Sequence, residues 1–512
     1  MAELVTLDQA ALERFTTELL TAGFEPVADT DRCWWQGPIS PAFAGLTTAT
    51  TMRLWLRDGW PFRHPHLEVN GLAVEHVNDQ GVVCLWIEDD NSRTWLTRDG
   101  IMSRIESWCE RAKAGFRPAD QALDAYVGFA AVVGILATFD LDVLKPGGTR
   151  EGQSGRLHGV QRHASLIELR PGAGPTGSLR GQWLHAGDFE PPPRNLDELR
   201  SSLTRAQRRE LNKSSGRVAA GSGSEIALVV GRRHGQHDTV VLRLCPDGAG
   251  GARAESLEPA PTDRATLLLR AGPDASQLGA KRVVCFGLGA VGSHTALLLA
   301  ESGVGHLHLA DGELLRPGNV VRHAAGHEAI GLPKVSAVEA VVHAHAPWTS
   351  VDVTQEAVWD AATVSTLMSG ADLVVDTTGA APVVEMLSRI AERTRVALVS
   401  AALYRSGAIG RVRRQLPGND TSIYLRGEDA RYPIIPSGAH DEGDDEGRLL
   451  EPGCSAPVNN APPSAVAAIS ALAAQVAIGA LTGWMRYPDE VIDVYQPLEG
   501  QPFHRVGRVE HH

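Results

Sequence analysis

Cysteine is scarce in this chain, and the six that occur over 512 residues are widely scattered, with no Cys-x-x-Cys pair. That excludes a disulfide framework and the familiar zinc spacings, and it points to a reducing compartment. Basic residues are in the minority too: 48 Lys and Arg stand against 61 Asp and Glu, a net charge of -13. A general nucleic-acid binder carries the opposite sign, so none is expected as a partner. The local exception, Arg205 to Lys213, reads as the solvated face of a helix. The start, Met1-Ala-Glu-Leu4, lacks a basic and apolar leader, which makes the cytoplasm the expected location. The long apolar run, Pro462 to Trp484, is alanine-rich and carries Ser464, Ser470, Gln475 and Thr482. A buried helix against a parallel sheet is expected there, not a membrane span. No repeat of short period is visible.

What is present is an ordinary globular composition, 43% hydrophobic and 21% charged. The length suits about three domains. Residues 1 to 120 read as an amphipathic helix from Asp8 to Ala22, strand-like runs near Thr47 to Leu56 and Leu67 to Val69, and a helix from Gly100 to Ala114. Residues 121 to 275 alternate apolar patches (Ala125 to Leu136, Ile226 to Val230, Thr239 to Leu244) with Pro191-Pro-Pro193 and Gly216 to Ser224. They are expected to form a linker domain whose fold the sequence leaves open. Residues 276 to 512 form the third region.

That third region opens with the densest chemistry. Arg282-Val-Val-Cys-Phe286 has the pattern of a buried strand, and Gly287-Leu-Gly289-Ala-Val-Gly292 turns it into a helix running through Ala300. The amide end of such a helix can face phosphate. A second apolar strand, His306 to Ala310, ends in Asp311, where a carboxylate can take ribose hydroxyls. To this point a nicotinamide dehydrogenase fits equally well. Asp311-Gly-Glu313, Asn319-Val-Val-Arg322-His323 and Gly331-Leu-Pro-Lys334 then add more charge than hydride transfer needs beside a pyrophosphate. An enzyme that splits ATP needs it, because charge builds on the leaving pyrophosphate and fixed cations plus magnesium must meet it. Asp376, between the strand Leu373 to Val375 and Thr377-Thr-Gly379, is placed to hold that magnesium.

These elements in order resemble the adenylation domain of the ThiF/MoeB and ubiquitin-activating family over roughly residues 275 to 490. The family pattern is a Gly-x-Gly-x-x-Gly turn, an acidic pair, Asn-x-x-Arg-Gln, a lysine and a distal Asp. Glu313 stands where Asp is usual and His323 replaces the common Gln. The resemblance implies a Rossmann-like α/β fold with a parallel-rich sheet. It also implies that Gly287, Gly289, Gly292, Asp311, Glu313, Asn319, Arg322 and Lys334 bind ATP and that Asp376 binds Mg2+, with Arg322 also catalytic. It further implies a homodimer. Cysteine pairs that bind zinc in many activating enzymes of the family are missing.

Cys454, in Glu451-Pro-Gly-Cys-Ser-Ala-Pro457, follows a charged crossover, Asp441-Glu-Gly-Asp-Asp-Glu446, and precedes the alanine-rich helix. A buried thiol is one reading. A thiolate favoured by the helix amino end is the other. In the family a crossover-loop cysteine takes the acyl group from AMP, and Cys454 matches that place in chain order.

Near the amino end, Trp60-Pro-Phe-Arg-His-Pro65, His76-Val-Asn78-Asp-Gln-Gly81-Val-Val-Cys84-Leu-Trp86 and Trp95-Leu-Thr97 resemble the signatures of ubiquitin-conjugating enzymes, an α+β fold of about 110 residues. Cys84 would be the acyl carrier and Asn78 the oxyanion donor, worth on the order of 10²- to 10³-fold in rate. Asn78 precedes Cys84 by two positions fewer than the family pattern, and Val77 replaces proline. The plain reading of Cys84 is a strand cysteine facing the core. Asp89 and Asp90 could help deprotonate an incoming lysine or simply form a solvated turn. His64, His66, His76 and Cys84 have no recognisable zinc spacing, and Cys33, Cys109, Cys245 and Cys285 read as core residues.

A conjugating domain fused to an activating domain is similar to the bacterial ubiquitin-transferase-like proteins of antiviral operons, notably those of cyclic-oligonucleotide signalling. The resemblance implies adenylation of a protein C-terminus, thioester transfer to Cys454 and then Cys84, and conjugation to a target lysine. The activated protein would be a cGAS-like nucleotidyltransferase or an operon-encoded ubiquitin-like protein. A ThiF/MoeB-type sulfur-carrier activator would share residues 275 to 490 without using Cys84. A binding module with both cysteines silent is the non-enzymatic alternative.

Overall fold

The computed structural model describes residues 8–27, 32–78, 80–86, 90–116, 129–144, 151–188, 193–233, 236–356, 360–436 and 460–509. The chain divides into two compact units, Met1–Asp263 and Arg264–His512. It is a mixed α/β protein, as the sequence pattern implies.

The C-terminal unit is built on an eight-stranded sheet. Its order is Ser350–Thr354, His306–Ala310, Arg282–Phe286, Leu373–Asp376, Ala397–Tyr404, Ile409–Gln415, Glu490–Val494 and Gly507–Arg508. The first five strands are parallel and the last three antiparallel. Near-continuous apolar runs such as Arg282-Val-Val-Cys-Phe286 suit parallel strands covered on both faces. Val283, Cys285, Leu373, Val375 and Val399 pack against the helices Ala290–Glu301, Lys334–His345 and Pro463–Thr482. Their alternates Val284, Phe286, Val374 and Leu398 pack against Ala361–Met368 and Ala381–Thr394.

Helix Pro463–Thr482 is long and apolar enough to cross a membrane, with a mean hydropathy of 1.9. Here Ile469, Leu472, Ala473, Val476, Ala477 and Leu481 belong to the sheet's core. Its alanines permit a close approach to helix Ala290–Glu301, and Ser470 Oγ donates across to the Val291 carbonyl at 3.1 Å.

Strand order reverses between Arg282–Phe286 and Leu373–Asp376, because the chain builds outward from Arg282–Phe286 first to one side and then to the other. Connections diverge there and leave a crevice beyond the carboxyl ends of the strands. Gly287 and Asp376 both stand at that crevice.

In the N-terminal unit, helix Gln9–Thr21 starts at Asp8, whose carboxylate accepts from the Ala11 amide at 2.9 Å. An antiparallel meander follows, Glu25–Val27, Cys33–Pro38, Thr51–Leu56, His66–Glu68 and Val82–Val83, and then helix Arg98–Ala114. Phe15, Leu19, Trp60, Trp95 and Trp108 fill the core between helices and sheet.

The middle region, whose fold the sequence leaves open, contains a closed seven-stranded barrel. Its order is Glu225–Arg233, Gln236–Pro246, Ala252–Pro261, Ala131–Phe139, Leu166–Pro171, Ser154–His163 and Leu179–Asp188. Arg205–Ala219 is a helix, capped by Thr204 and buried through Leu211 and Val218.

Candidate active site

The glycine turn is dictated by sterics at two of its three glycines. Gly287 has φ +81, and a Cβ there would lie 2.8 Å from the Thr378 amide nitrogen. A Cβ on Gly292 would lie 1.9 Å from the Gly287 carbonyl oxygen and 2.3 Å from Thr377 Oγ1. Gly289, which begins helix Ala290–Glu301, would meet nothing within 4 Å. The open space thus lies at the helix amino end, where free N–H groups and the helix dipole favour an anion.

Hydrogen bonds tie Asp311 to this turn and hold the other sequence-predicted residues through their own loops. Asp311, 9% exposed, accepts from the Leu288 amide at 2.7 Å and from the Glu313 amide at 2.8 Å. Each of its oxygens keeps a lone pair for a further donor. Lys334, 5% exposed, forms an ion pair with Glu313, whose side chain is exposed. A lysine in the first turn of helix Lys334–His345 opposes the helix dipole. Holding a buried cation there makes sense where an anion is to be met. Asn319 caps its own turn, accepting from the Arg316 amide at 3.2 Å. Arg322 Nη1 donates to the Ala461 carbonyl at 3.2 Å, which ties this loop to the residues leading into helix Pro463–Thr482.

His323 has a role that its residue type alone did not reveal. Its Nε2 lies 2.9 Å from the Leu288 carbonyl, and its Nδ1 accepts from the Ala325 amide at 3.0 Å. Those partners fix a neutral ring protonated on Nε2. Burial holds its pKa below the usual value, and nearby Lys334 and His294 act in the same direction. His294 is lowered as well, again by burial first. Ser293, fully buried, accepts from the Ala324 amide at 3.1 Å and closes the same loop.

Asp376 is fully buried at the end of its strand. Its Oδ1 accepts from Thr378 Oγ1 at 2.7 Å and its Oδ2 from Ser400 Oγ at 2.8 Å. Burial raises its pKa, and these hydrogen bonds oppose the shift. Magnesium is usually held by one or two carboxylates together with substrate phosphates and water. A single oriented carboxylate across the crevice from the glycine turn fits that donor set. Among the described residues no group of three or more His, Cys, Asp or Glu forms a self-sufficient metal site. Ser400, which aims this carboxylate together with Thr378, carries no local sequence signal; only strand register places it beside Asp376.

The second candidate site lies in the N-terminal unit. Cys84 is half-buried, and its amide donates to the His76 carbonyl at 2.9 Å. Val77 pairs with Val83, and the Asn78 amide donates to the Val82 carbonyl at 3.1 Å. This register makes Asn78 and Cys84 diagonal neighbours across the ladder, a relation that in a regular pair spans roughly 7–8 Å. Asn78 Oδ1 accepts from the Gln80 amide at 3.0 Å and the Val82 amide at 2.8 Å. The carbonyl end of the side chain is thus committed to the turn, which leaves its NH2 end as the donor. Burial raises the Cys84 thiol pKa and the Arg104 guanidinium opposes it. Arg104 Nε donates to the Leu85 carbonyl at 2.8 Å and its Nη2 lies 3.5 Å from Asp90 Oδ2. Asp89 and Cys454 lie outside the described residues.

Comparison with known proteins meets this geometry in the C-terminal half, where residues 263–507 match the model of the ThiF family. The uncharacterized protein y4oA of Sinorhizobium fredii is 28% identical over 334 residues, covering 57% of this chain and 53% of that protein. The ATP-dependent ubiquitin transferase-like protein Cap2 of Vibrio cholerae is 32% identical over 151 residues, 28% of this chain and 25% of Cap2. The chain thus spans about half of the first relative's length and about a quarter of the second's. Among solved structures, PaaA is 20% identical with a TM-score of 0.36, covering 46% of this chain and 65% of PaaA. E. coli MccB with ATP is 16% identical with a TM-score of 0.37, covering 45% of this chain and 66% of MccB. The match to the ThiF family thus covers the part of the chain that contains the crevice with Gly289, Asp311, Lys334 and Asp376.

Proposed function

We propose that this protein uses ATP to adenylate the C-terminal carboxylate of a protein or peptide, and passes the acyl group to Cys454 and then Cys84 before conjugation to an amine. The observation that carries the first step is the open space at Gly289. Two glycines are forced by backbone contacts while the third is left clear at a helix amino end, beside buried Asp311, Lys334 and Asp376.

In this reading Gly289 and the amides after it bind phosphate oxygens, and Asp311 accepts from the ribose hydroxyls. Arg322 and Lys334 meet the charge that develops on the departing pyrophosphate. Exchange of Glu313 for phosphate would leave the Lys334 ammonium paired throughout. A substrate carboxylate oxygen forms a bond to the α-phosphorus as the bond to pyrophosphate breaks. Magnesium, when bound at Asp376, would supply charge neutralisation of the phosphate oxygens.

A thiolate then attacks the acyl carbon and AMP leaves with the electron pair of the broken bond. Cys454 stands seven residues before Ala461. That is a tether of at most about 25 Å from the point that Arg322 holds. The thioester passes to Cys84 by thiol exchange, with the Asn78 NH2 group offered to the oxyanion. A target lysine amine finally displaces the thiolate to form an amide. Likeness to Cap2, an ATP-dependent ubiquitin transferase-like protein, supports ubiquitin-like conjugation; we extend this to a ubiquitin-like or cGAS-like activated partner, an antiphage role, the cytoplasm and a homodimer. The sulfur-carrier alternative uses the same adenylation step and leaves Asn78 and Cys84 without a task.

The test is capture of the acyl group. Full-length Cys84→Ser protein, isolated from its host, is expected to carry a polypeptide joined as an oxyester that survives thiol reductant and yields to mild base. The adduct should disappear when Cys454→Ala is added. ATP turnover without an adduct would defeat the relay, and no nucleotide-dependent pyrophosphate release with any partner would defeat adenylation itself.

A further inference from the structure

A row of polar side chains crosses one face of the C-terminal sheet at the level where the parallel strands end. Register places Asp376 beside Ser400, Ser400 beside Arg413 and Arg413 beside Glu490. Directly opposed residues share a face. Hydrogen bonds follow the row: Ser400 Oγ donates to Asp376 at 2.8 Å and accepts from Arg413 Nη2 at 3.2 Å.

Beyond Arg413 the row breaks. Glu490, 1% exposed, gives its carboxylate to Arg411 at 2.7 Å and to Arg426 at 3.4 Å. Arg414, the next residue, is paired with Asp420 at 2.9 Å. Arg413 has the Ser400 bond and no ion pair within 4.0 Å among the described residues. A guanidinium has five N–H donors in a planar fork. Arg413 is part-exposed; crowding by the protein works against its charge and Arg411 adds to that, while Tyr404, Asp376 and Glu490 support it. None of its other nitrogens is sealed in the core without a partner, so they stay open to an anion that enters from outside.

Position says which anion. Arg413 is three strands from the strand that feeds the glycine turn, roughly 14 Å at ordinary strand spacing. Asp376 stands between the two. Strand order puts the glycine turn on one side of Asp376 and Arg413 on the other, so a nucleotide seated at Gly289 leaves Arg413 to meet a second reactant. We propose that Arg413 receives the carboxylate of the molecule to be adenylated and holds it beside Asp376, with Ser400 fixing the guanidinium in place. The planar fork suits a carboxylate, which it can bind through two parallel hydrogen bonds. This inference rests on the adenylation reading and assigns its acyl substrate a receptor.

The experiment uses the full-length protein with Mg2+ and a non-hydrolysable ATP analogue, and follows thermal stability as glycylglycine or glycylglycinamide is added. The free acid should stabilise the nucleotide-bound wild type and the amide should not. Arg413→Met should weaken the free-acid effect by about 10- to 100-fold, the range for a hydrogen bond to a charged group. Affinity for the ATP analogue should stay within about twofold. Arg413→Lys, which keeps charge and loses the fork, should fall between and serves if the Met variant does not fold.

Equal response to acid and amide, or an acid preference that survives both substitutions, overturns the assignment. A loss of ATP-analogue affinity in Arg413→Met as large as the loss for glycylglycine would instead place the guanidinium on the phosphates. Failure of the wild type to bind the ATP analogue at all would sink the adenylation reading, a different result from either of these.

Discussion

His323 offers a sharp test of how the nucleotide loop is held. Its ring donates from Nε2 to the Leu288 carbonyl and accepts at Nδ1 from the Ala325 amide. A glutamine amide provides the same pair, one N–H donor and one carbonyl acceptor. That equivalence explains how His323 can stand where the resembled family pattern has Gln. His323→Gln should therefore retain nucleotide binding at neutral pH. His323→Leu strands two backbone groups, each worth about 1–3 kcal/mol when buried and unsatisfied. One such loss confined to the bound loop corresponds to roughly 5- to 150-fold in affinity.

The pH dependence separates the two variants from wild type. Burial, Lys334 and His294 all depress the His323 pKa, so the ring is neutral above about 6.5 and its bonds are intact. As pH falls below that value, protons favour any state that releases the ring. Nδ1 then turns from acceptor to donor against the Ala325 amide. Binding of a fluorescent ATP analogue from pH 8 to 5 should thus decline in wild type and decline less in His323→Gln, with His294 left to cause the remainder. A Gln variant as weak as Leu at pH 8, or one with the full acid decline, would refute this account of the loop.

Other expectations follow from single contacts. Gly289→Ala should leave the melting temperature nearly unchanged and abolish most nucleotide affinity, whereas Gly292→Ala, with its Cβ 1.9 Å from the Gly287 oxygen, should unfold the turn. Comparable melting temperatures for the two would count against the steric reading. Alkylation of Cys84 by iodoacetamide, followed on its peptide by mass spectrometry, should rise about tenfold per pH unit between 7 and 8 because the thiol is raised by burial. Arg104→Met should slow it throughout that range, and an unchanged rate would remove Arg104 from the site. Glu490→Ala strands Arg411, while Arg426 keeps Asp489 at 3.3 Å, and should destabilise the C-terminal unit by roughly 3–5 kcal/mol, read from denaturant unfolding; a change under about 1 kcal/mol would show that water reaches the Arg411 pair.

The geometry of the crevice was legible because its parts are local. A tight turn needs glycine at Gly287 and Gly292 whatever else the chain does, and an apolar run ending in Asp376 marks the end of a buried strand. Alanine and scattered hydroxyls likewise identified Pro463–Thr482 as a core helix, since Ser470 has a carbonyl to bond within the fold. The barrel was not legible, and topology is the reason. Its closure joins Leu179–Asp188 to Glu225–Arg233 and Ala131–Phe139 to Ala252–Pro261, parallel pairings between distant segments with shifted register. Gly216, grouped with the residues to Ser224 as a break between apolar patches, sits instead inside helix Arg205–Ala219. The Ser400 and Arg413 row was hidden for the same cause: two residues thirteen apart become neighbours only when their strands are paired.

Asn78 and Cys84 show how sequence spacing and strand parity bear differently on a candidate pair. The interval is two residues shorter than in the conjugating-enzyme pattern, which on a linear reading puts Asn78 in doubt. In a two-stranded ladder each residue reverses the face, so a change of one would turn Asn78 away from Cys84 and a change of two returns it. The observed register, His76 to Cys84, Val77 to Val83 and Asn78 to Val82, keeps the pair on the same side of the hairpin. Asn78 Oδ1 closes the tighter turn onto the Gln80 and Val82 amides, and the proposed oxyanion role would fall to its remaining NH2 group.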